Sequence, residues 1–400
     1  MSFLNQNYVT SSLLIQRIKS KLNIPSLMCL HPLSPNDNTK NCYINLGENH
    51  GDYWNYLGDW RYLFRLLKIL DSLHVNIFLP DEVINEIKLS SYSQCLSFYK
   101  IYSLKTKSSS NEEFHIQILP FIDSQDTIKT SIDSKIKNIY IHLDGSANAS
   151  NLSCFRGDIV RVPFGIHPKI AVLNSYKYQR NKLQQINKRN IRILNSCSRG
   201  DIYHDKIILD SSLHLTGGRN RLLSVVYEEL EDNNHVILRS PNLFWNFFSR
   251  SFSETKLKLV SLDHNRLFSE WLFTLALSDT YLCLPGRCLI TCHNVYEAMS
   301  VGTIPILQYK NWFNPPLEDG LNCFSFQDEH DIVSVIREVL NTPKVKIEEM
   351  RKNVTDYYEN HLSEQSLIRR IFNSSNDTLL LLDSEWNTDK IRKESIIFNR

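Results

Sequence analysis

The chain has 400 residues, 42% of them hydrophobic, so it is long enough for two domains of ordinary size with buried cores. Its 45 Lys and Arg residues nearly balance 43 Asp and Glu residues, which leaves a formal charge of +2. This balance argues against a nucleic-acid-binding protein, because binding the phosphate backbone needs a concentrated basic face.

The sequence contains no pattern typical of a membrane span or a secretory leader. No stretch approaches the roughly 20 apolar residues of a membrane helix. Residues 1–21 lack the basic start and uninterrupted apolar block of a signal peptide. We therefore predict a cytoplasmic protein without a transmembrane segment, which partners could hold at a membrane surface.

The N-terminal half alternates short apolar runs with helical patterns. Leucines recur at helical spacing in Arg61–Leu73, and Asp81 can cap a further helix that ends at Leu89. This alternation indicates a parallel α/β sheet. Strands are predicted at Leu27–Leu30, Cys42–Leu46, Val75–Leu79, His115–Leu119, Ile139–Leu143 and Ile159–Val162.

A second α/β pattern follows the polar, basic segment 176–190, which has no apolar face and is predicted to be a linker or surface helix. Its first strand is Ile191–Leu194. We predict an N-terminal α/β domain at 1–172, a linker at 173–190, a C-terminal α/β domain at 191–365, and a C-terminal helix and tail. The tail, 366–400, is expected to be able to cross back to the N-terminal domain.

Residues 280–307 contain the most informative local pattern. A short apolar strand ends at Pro285 and Gly286, and a loop with Arg287 follows. A helix is predicted over Asn294–Met299, and then a buried strand over Ile304–Leu307. This order predicts a βαβ unit with a polar crevice at the carboxyl ends of its strands.

The same stretch carries a family resemblance. The run CLPGRCLITCHNVYEAMSVGTIPIL resembles the nucleotide-binding half of GT-B glycosyltransferases, most closely the exostosin-type family, and EAMSVGTIPI is its most specific part. Weaker matches are WFNPPLEDG and IRILNSCSRGDIYHDK, so the resemblance covers about residues 190–360. It implies an α/β protein with two Rossmann-like domains facing a cleft, and a role in polysaccharide biosynthesis.

The resemblance also implies which C-terminal residues hold the donor. Glu297 resembles the carboxylate that binds ribose hydroxyls, although a solvated helix residue is the simpler alternative. Arg287, in the loop opened by Gly286, is placed to meet phosphate or base; it could equally be a surface arginine. His293 and Asn294 open the helix, where Asn is also a preferred N-cap.

The loop after the first strand of this domain holds a second group of donor-binding candidates. Arg199 could pair with the diphosphate, and Gly200 would let the backbone approach it closely. The carboxyl ends of strands are where ligands bind in open parallel sheets. In the absence of a metal, arginines, backbone N–H groups and helix N-termini would stabilise the leaving diphosphate.

The catalytic base is predicted in the N-terminal half. The segment HGDYW contains His50 and Asp52 after a predicted strand, and either could take the proton of an acceptor hydroxyl. The competing interpretation is an aromatic-rich structural loop. Tyr53 and Trp54 could stack on a sugar ring or belong to the core.

The absence of three sequence motifs restricts the reaction types and metal sites that the chain can be expected to have. Leu289 stands eight residues before Glu297, so the Glu pair of many retaining GT-B enzymes is absent, which favours inversion. No D-x-D triplet occurs, which disfavours a metal-clamped donor. Cys283, Cys288 and Cys292 do not have the paired spacing of zinc sites. We predict no metal and no cofactor, with the nucleotide sugar as substrate.

The sequence thus predicts an inverting, metal-independent glycosyltransferase. It would transfer a sugar from a nucleotide-sugar donor to a glycan, lipid-linked or other hydroxyl acceptor, without nucleic acid as a partner. Two alternatives remain open: a catalytically silent GT-B-like protein that binds glycans or nucleotides, and a nucleotide-sugar 2-epimerase.

Overall fold

The chain forms two compact units. The computed structural model describes residues 41–45, 61–71, 76–89, 99, 101–103, 112–119, 137–142, 158–163, 165–171, 176–187, 189–196, 218–229, 235–238, 257–262, 268–285, 291–372 and 378–382. The first unit comprises the described residues from 41 to 171, 291–293, and those from 359 onward. The second comprises those from 176 to 285 and 294–358.

The first unit is built on a seven-stranded sheet. Its strands are β1 (Asn41–Asn45), β2 (Asn76–Leu79), β3 (Ile101–Ser103), β4 (Glu112–Leu119), β5 (Lys137–His142), β6 (Asp158–Val162) and β13 (Thr378–Leu382). Its helices are α1 (Arg61–Asp71), α2 (Asp81–Leu89), α3 (Pro168–Ala171) and α10 (Glu364–Phe372). The strand order is β3-β2-β1-β4-β5-β13-β6, and every neighbouring pair is parallel.

Strand β13 comes from the C-terminal part of the chain but lies inside this sheet. Thr378 pairs with Ile139 of β5 on one side and with Asp158 of β6 on the other. An interior strand of a parallel sheet is typically a continuous apolar run, which suits the sequence TLLLL. The C-terminal strand therefore completes the sheet of the first unit.

Helix α1 supplies much of the described core of the first unit. Its apolar side chains recur at helical spacing and are buried: Leu63, Phe64, Leu66, Leu67, Ile69 and Leu70. Arg65 is buried among them, and its guanidinium donates to Glu364 Oε1 at 2.7 Å and to the Leu362 carbonyl oxygen at 2.8 Å. This ion pair neutralises a buried charge and joins α1 to the start of α10.

The second unit is built on a six-stranded parallel sheet. Its strands are β7 (Ile191–Asn195), β8 (His235–Leu238), β9 (Leu257–Leu262), β10 (Ser278–Leu282), β11 (Ile304–Leu307) and β12 (Phe324–Ser325), in the order β8-β9-β7-β10-β11-β12. Its helices are α4 (Tyr176–Gln184), α5 (Gly218–Glu229), α6 (Phe268–Ala276), α7 (His293–Ser300), α8 (Asp331–Asn341) and α9 (Lys344–Tyr357). The first residue of α7, His293, groups with the other unit.

Strand β10 begins earlier than its apolar run indicates. The apolar run begins at Tyr281, whereas the strand starts at Ser278 and is buried throughout. Its polar residues are satisfied internally: Asp279 pairs with Arg192 at 3.1 Å, and Thr280 donates to the Arg192 carbonyl oxygen at 2.7 Å. Polar residues with partners of this kind interrupt the apolar pattern without ending the strand.

Arg189 joins the segment before β7 to the amino-terminal ends of β10 and β11. It donates to the carbonyl oxygens of Ser278 and Val301, each at 2.7 Å, and to Thr303 Oγ1 at 2.8 Å. Burial, together with nearby Arg351, lowers the pKa of Arg189 well below its ordinary value, while Asp279 raises it. Three strong hydrogen bonds compensate for placing this group in the core.

The predicted fold class of two parallel, Rossmann-like α/β units is confirmed by the two sheets. Segment 176–190, predicted as a linker or surface helix, contains α4, which packs against α6. Several predictions lie outside the described residues: the strand at 27–30, the aromatic segment 47–60, and the loops holding Arg199 and Arg287.

Candidate functional site

The topology of the second unit creates a switch point between β7 and β10. These strands are neighbours, but the chain continues from β7 toward β9 and β8, and from β10 toward β11 on the other side. Right-handed crossovers then place the following helices on opposite faces of the sheet. In open parallel sheets, ligands bind in the crevice that such a divergence creates at the carboxyl ends of the two strands.

Three residues tie the two strand ends together at this crevice. The Tyr281 hydroxyl, from β10, donates to the Ser196 carbonyl oxygen just after β7, at 2.6 Å. Asn294 Nδ2 donates to the Tyr281 hydroxyl oxygen at 2.9 Å and to the Ser196 carbonyl oxygen at 3.3 Å. Asn294 is the second residue of α7, so its side chain holds the N-terminus of that helix over both strand ends.

Glu297 lies on α7, one turn beyond this cluster. It is 1% exposed, so the alternative of a solvated helix residue is wrong. Its Oε2 accepts a hydrogen bond from Trp271 Nε1 at 2.5 Å, and the Trp271 ring packs edge-to-face on Tyr281. Trp271 therefore orients the carboxylate and connects it to the strand-end cluster.

Arg219 approaches the crevice from α5. It is buried, and its Nε and Nη2 both donate to the Pro285 carbonyl oxygen, at 3.1 and 2.7 Å. Pro285 follows the end of β10 and precedes the loop predicted to hold Gly286 and Arg287. Arg219 is the second residue of α5, so this helix anchors the residue that precedes the loop.

A second polar chain lies at the ends of β7 and β9. Asn195, the last residue of β7, donates through Nδ2 to the Tyr227 hydroxyl oxygen at 3.3 Å. Tyr227 in turn donates to Ser261 Oγ at 3.0 Å. The carboxyl ends of three adjacent strands, β9, β7 and β10, thus carry polar groups.

The structure brings Glu297 and Asn294 together on α7 but gives His293 different neighbours. His293 Nδ1 lies 2.7 Å from the Gly165 carbonyl oxygen, and its ring meets that of His167 at 4.9 Å between centroids. Both partners belong to the first unit, as His293 itself does by its contacts. The assignment of His293 to the donor site stays a prediction.

The remaining predicted site residues lie outside the residues that the structure describes. They are Gly286 and Arg287 in the loop after β10, Arg199 and Gly200 in the loop after β7, and the proposed bases His50 and Asp52. Their roles stay predictions.

Cys283, Cys292 and Cys323 form no disulfide bond. Burial, with smaller contributions from nearby Asp319 and Glu318, raises the pKa of Cys323 to about 12. No group of three or more His, Cys, Asp or Glu residues in that part of the chain is arranged to hold a metal ion. Over the same residues, no helix has the length and hydrophobicity to cross a membrane.

Sequence reasoning missed three residues of this site: Trp271, the hydroxyl of Tyr281 and Asn195. Asn195 gave the clearest signal, because a polar residue follows Ile193 and Leu194 at the end of the strand, a predicted ligand-facing position. Trp271 gave no signal in the sequence, because it lies 26 residues from Glu297 and only the tertiary structure brings the two side chains together.

No family model and no curated protein matches the chain. Among solved structures it is similar to HepE of Anabaena in complex with UDP and glucose, at 10% identity and a TM-score of 0.39 over 84% of this chain and 99% of that one. It is also similar to an alpha-glucosyltransferase in complex with UDP and a mismatched 13-mer DNA, at 13% identity and a TM-score of 0.47 over 84% and 98% of the chains. A third is a TarM mutant of S. aureus in complex with UDP and glycan ligands, at 12% identity and a TM-score of 0.34 over 66% and 55%.

With TM-scores below 0.5, none of these similarities supports a conclusion about the activity of this chain. The exostosin-type resemblance stays a prediction.

Proposed function

We propose that the protein is a glycosyltransferase of GT-B architecture that uses a nucleotide-sugar donor. The observation that carries the proposal is the switch point between β7 and β10, where Asn294, Tyr281 and Ser196 tie the strand ends beneath the start of α7. The oriented carboxylate of Glu297 lies on the same helix. Such a crevice suits a nucleotide, and the EAMSVGTIPI run adds the resemblance to a donor site.

The residues of the crevice are given these roles. Glu297 accepts hydrogen bonds from the ribose hydroxyls, since a carboxylate can accept from a vicinal diol while Trp271 occupies one of its lone pairs. Arg287, Arg199 and the backbone at Gly286 and Gly200 stabilise the diphosphate. Asn294 holds the start of α7 in place for it.

The reaction is proposed to be metal-independent and inverting. Asp52 or His50 takes the proton from the acceptor hydroxyl, the hydroxyl oxygen attacks the anomeric carbon, and the nucleoside diphosphate leaves. The acceptor is a glycan or a lipid-linked hydroxyl compound, and the process served is polysaccharide biosynthesis in the cytoplasm.

The test begins with thermal shift and calorimetry against UDP, GDP, UDP-glucose and GDP-mannose, followed by hydrolysis and transfer assays. Glu297→Gln keeps an oxygen for Trp271 but removes the charge that binds a diol. We expect it to weaken nucleotide affinity about tenfold or more, equivalent to about 1.4 kcal/mol. The matched control is Glu349→Gln, which alters a surface carboxylate paired only with Lys346 at 3.3 Å.

Each alternative has its own outcome in these assays. Nucleotide binding without transfer or hydrolysis would select the catalytically silent binding protein, and conversion of a free nucleotide sugar to its 2-epimer would select the epimerase. If no nucleotide stabilises the wild-type protein, the proposed function is wrong.

A further inference from the structure

Asn195 is a buried amide whose hydrogen bonds are incomplete. The residue is 2% exposed, and its Nδ2 donates to the Tyr227 hydroxyl oxygen. Its Oδ1 is also buried and has no hydrogen-bond partner among the residues that the structure describes. The Tyr227 proton is directed to Ser261 Oγ, so the hydroxyl turns its lone pairs to Asn195 and requires an N–H there. The amide nitrogen of Asn195 therefore faces Tyr227, and the amide oxygen is the atom without a hydrogen bond.

An unpaired buried carbonyl is costly, because the group has lost water and gained nothing in return. Asn322 of the same unit avoids this cost, because its Oδ1 accepts the Glu318 backbone N–H at 2.8 Å and the residue is similarly buried. Asn220 Oδ1, on α5, is a second buried amide oxygen without a hydrogen bond, so it is the place of Asn195 in the fold that distinguishes it.

The position is the end of β7, at the switch point. The next residue, Ser196, is the one whose carbonyl oxygen receives the Tyr281 and Asn294 hydrogen bonds. An unsatisfied acceptor at the carboxyl end of the first strand is what a ligand-recognition residue would present before its ligand arrives.

We propose that Asn195 recognises the donor, its Oδ1 accepting a hydrogen bond from an O–H or N–H group of the bound nucleotide sugar. This inference rests on the proposed function. An acceptor needs a donor as its partner, and diphosphate oxygens carry no proton at neutral pH. The partner is therefore a hydroxyl of the sugar or ribose, or an N–H of the base, and the diphosphate is excluded.

The test compares effects on stability and on binding. Asn195→Leu keeps the approximate shape of the side chain, removes the unpaired oxygen and also removes the 3.3 Å hydrogen bond from Nδ2 to Tyr227, whose hydroxyl still donates to Ser261. We expect the melting temperature of the ligand-free protein to fall less than it does in Asn322→Leu, because loss of the unpaired oxygen offsets loss of this long hydrogen bond. We expect the Kd for the nucleotide sugar to increase about tenfold, because the ligand donor would be buried without a partner. The control Asn322→Leu removes a paired oxygen and should lower the melting temperature without changing the Kd.

Calorimetry with UDP, GDP, UDP-glucose and GDP-mannose locates the partner. If Asn195→Leu already weakens the affinity for the nucleoside diphosphate, the group that donates to Asn195 belongs to the ribose or the base. If the variant weakens only the affinity for the nucleotide sugar, that group belongs to the sugar. The inference is overturned if Asn195→Leu lowers the melting temperature as Asn322→Leu does, or if its Kd equals that of the wild type. Wild-type protein that binds none of the four compounds would overturn the proposed function, and this inference with it.

Discussion

Any side chain at Gly302, which follows α7 and precedes β11, should destabilise the folded protein. Its φ is +70°, a conformation that costs a residue with a Cβ about 1–2 kcal/mol. A Cβ at this position would also lie 2.9 Å from Thr355 Oγ1. That hydroxyl donates to the Arg351 carbonyl oxygen at 3.0 Å, so moving it breaks a hydrogen bond. We expect Gly302→Ala to lower the free energy of unfolding by about 2–4 kcal/mol.

Gly320 provides a matched control within the same unit. Its φ is also +70°, but nothing lies within 4 Å of the Cβ it would carry. Gly320→Ala should therefore cost only the backbone contribution, about 1–2 kcal/mol. The difference between the two alanine variants isolates the contact with Thr355.

Urea unfolding gives both numbers, as the shift in midpoint multiplied by the slope of free energy against urea concentration. In the double variant Gly302→Ala, Thr355→Ala the contact is absent, so the cost relative to Thr355→Ala should fall to that of Gly320→Ala. The reasoning is refuted if Gly302→Ala costs no more than Gly320→Ala, or if the effects of Gly302→Ala and Thr355→Ala simply add.

Two further predictions concern the first unit. Leu380→Pro removes a backbone N–H from the middle of β13, so amide hydrogen exchange should speed up in β5 and β6 but not in β10 and β11. The control Val345→Pro, at an exposed first-turn position of α9, should change exchange in neither pair of strands. Unchanged exchange in β5 and β6 of the Leu380→Pro variant would contradict the strand order. Burial, and then Arg370, lowers the pKa of His361 below 6.5, so the folded state binds its proton less readily than the unfolded state. Its stabilising contribution is therefore present above pH 6.5 and is lost as the pH falls through the folded pKa. His361→Gln should make the urea midpoint depend less on pH below pH 6.5, and an unchanged pH profile would refute this.

Local patterns were sufficient to predict many elements and the centre of the candidate site. The spacing of the leucines predicts the helix α1, and the short apolar run predicts the strand β11, in both cases without reference to distant contacts. The order strand, Pro-Gly loop, helix and strand also placed Asn294 and Glu297 at the carboxyl end of a parallel sheet, because βαβ units have one hand.

Long-range pairing was decided only in three dimensions. The apolar run of β13 is visible in the sequence, but nothing local predicts that it forms a strand between β5 and β6, more than two hundred residues earlier in the chain. Register and neighbour choice depend on which edges remain open when the rest of the sheet has formed. The same holds for Arg65, whose partner Glu364 is 299 residues away.

The amino-acid sequence by itself determined the α/β class, the helix that carries Glu297, and the end of the sheet where a ligand would bind, since these follow from hydrophobic period and chain direction. The tertiary structure alone decided how the site is held. It buried Glu297 against Trp271, tied Asn294 to Tyr281, and left one oxygen of Asn195 unpaired at the end of β7. Such pairings depend on the packing of side chains from separate elements, which no local pattern encodes.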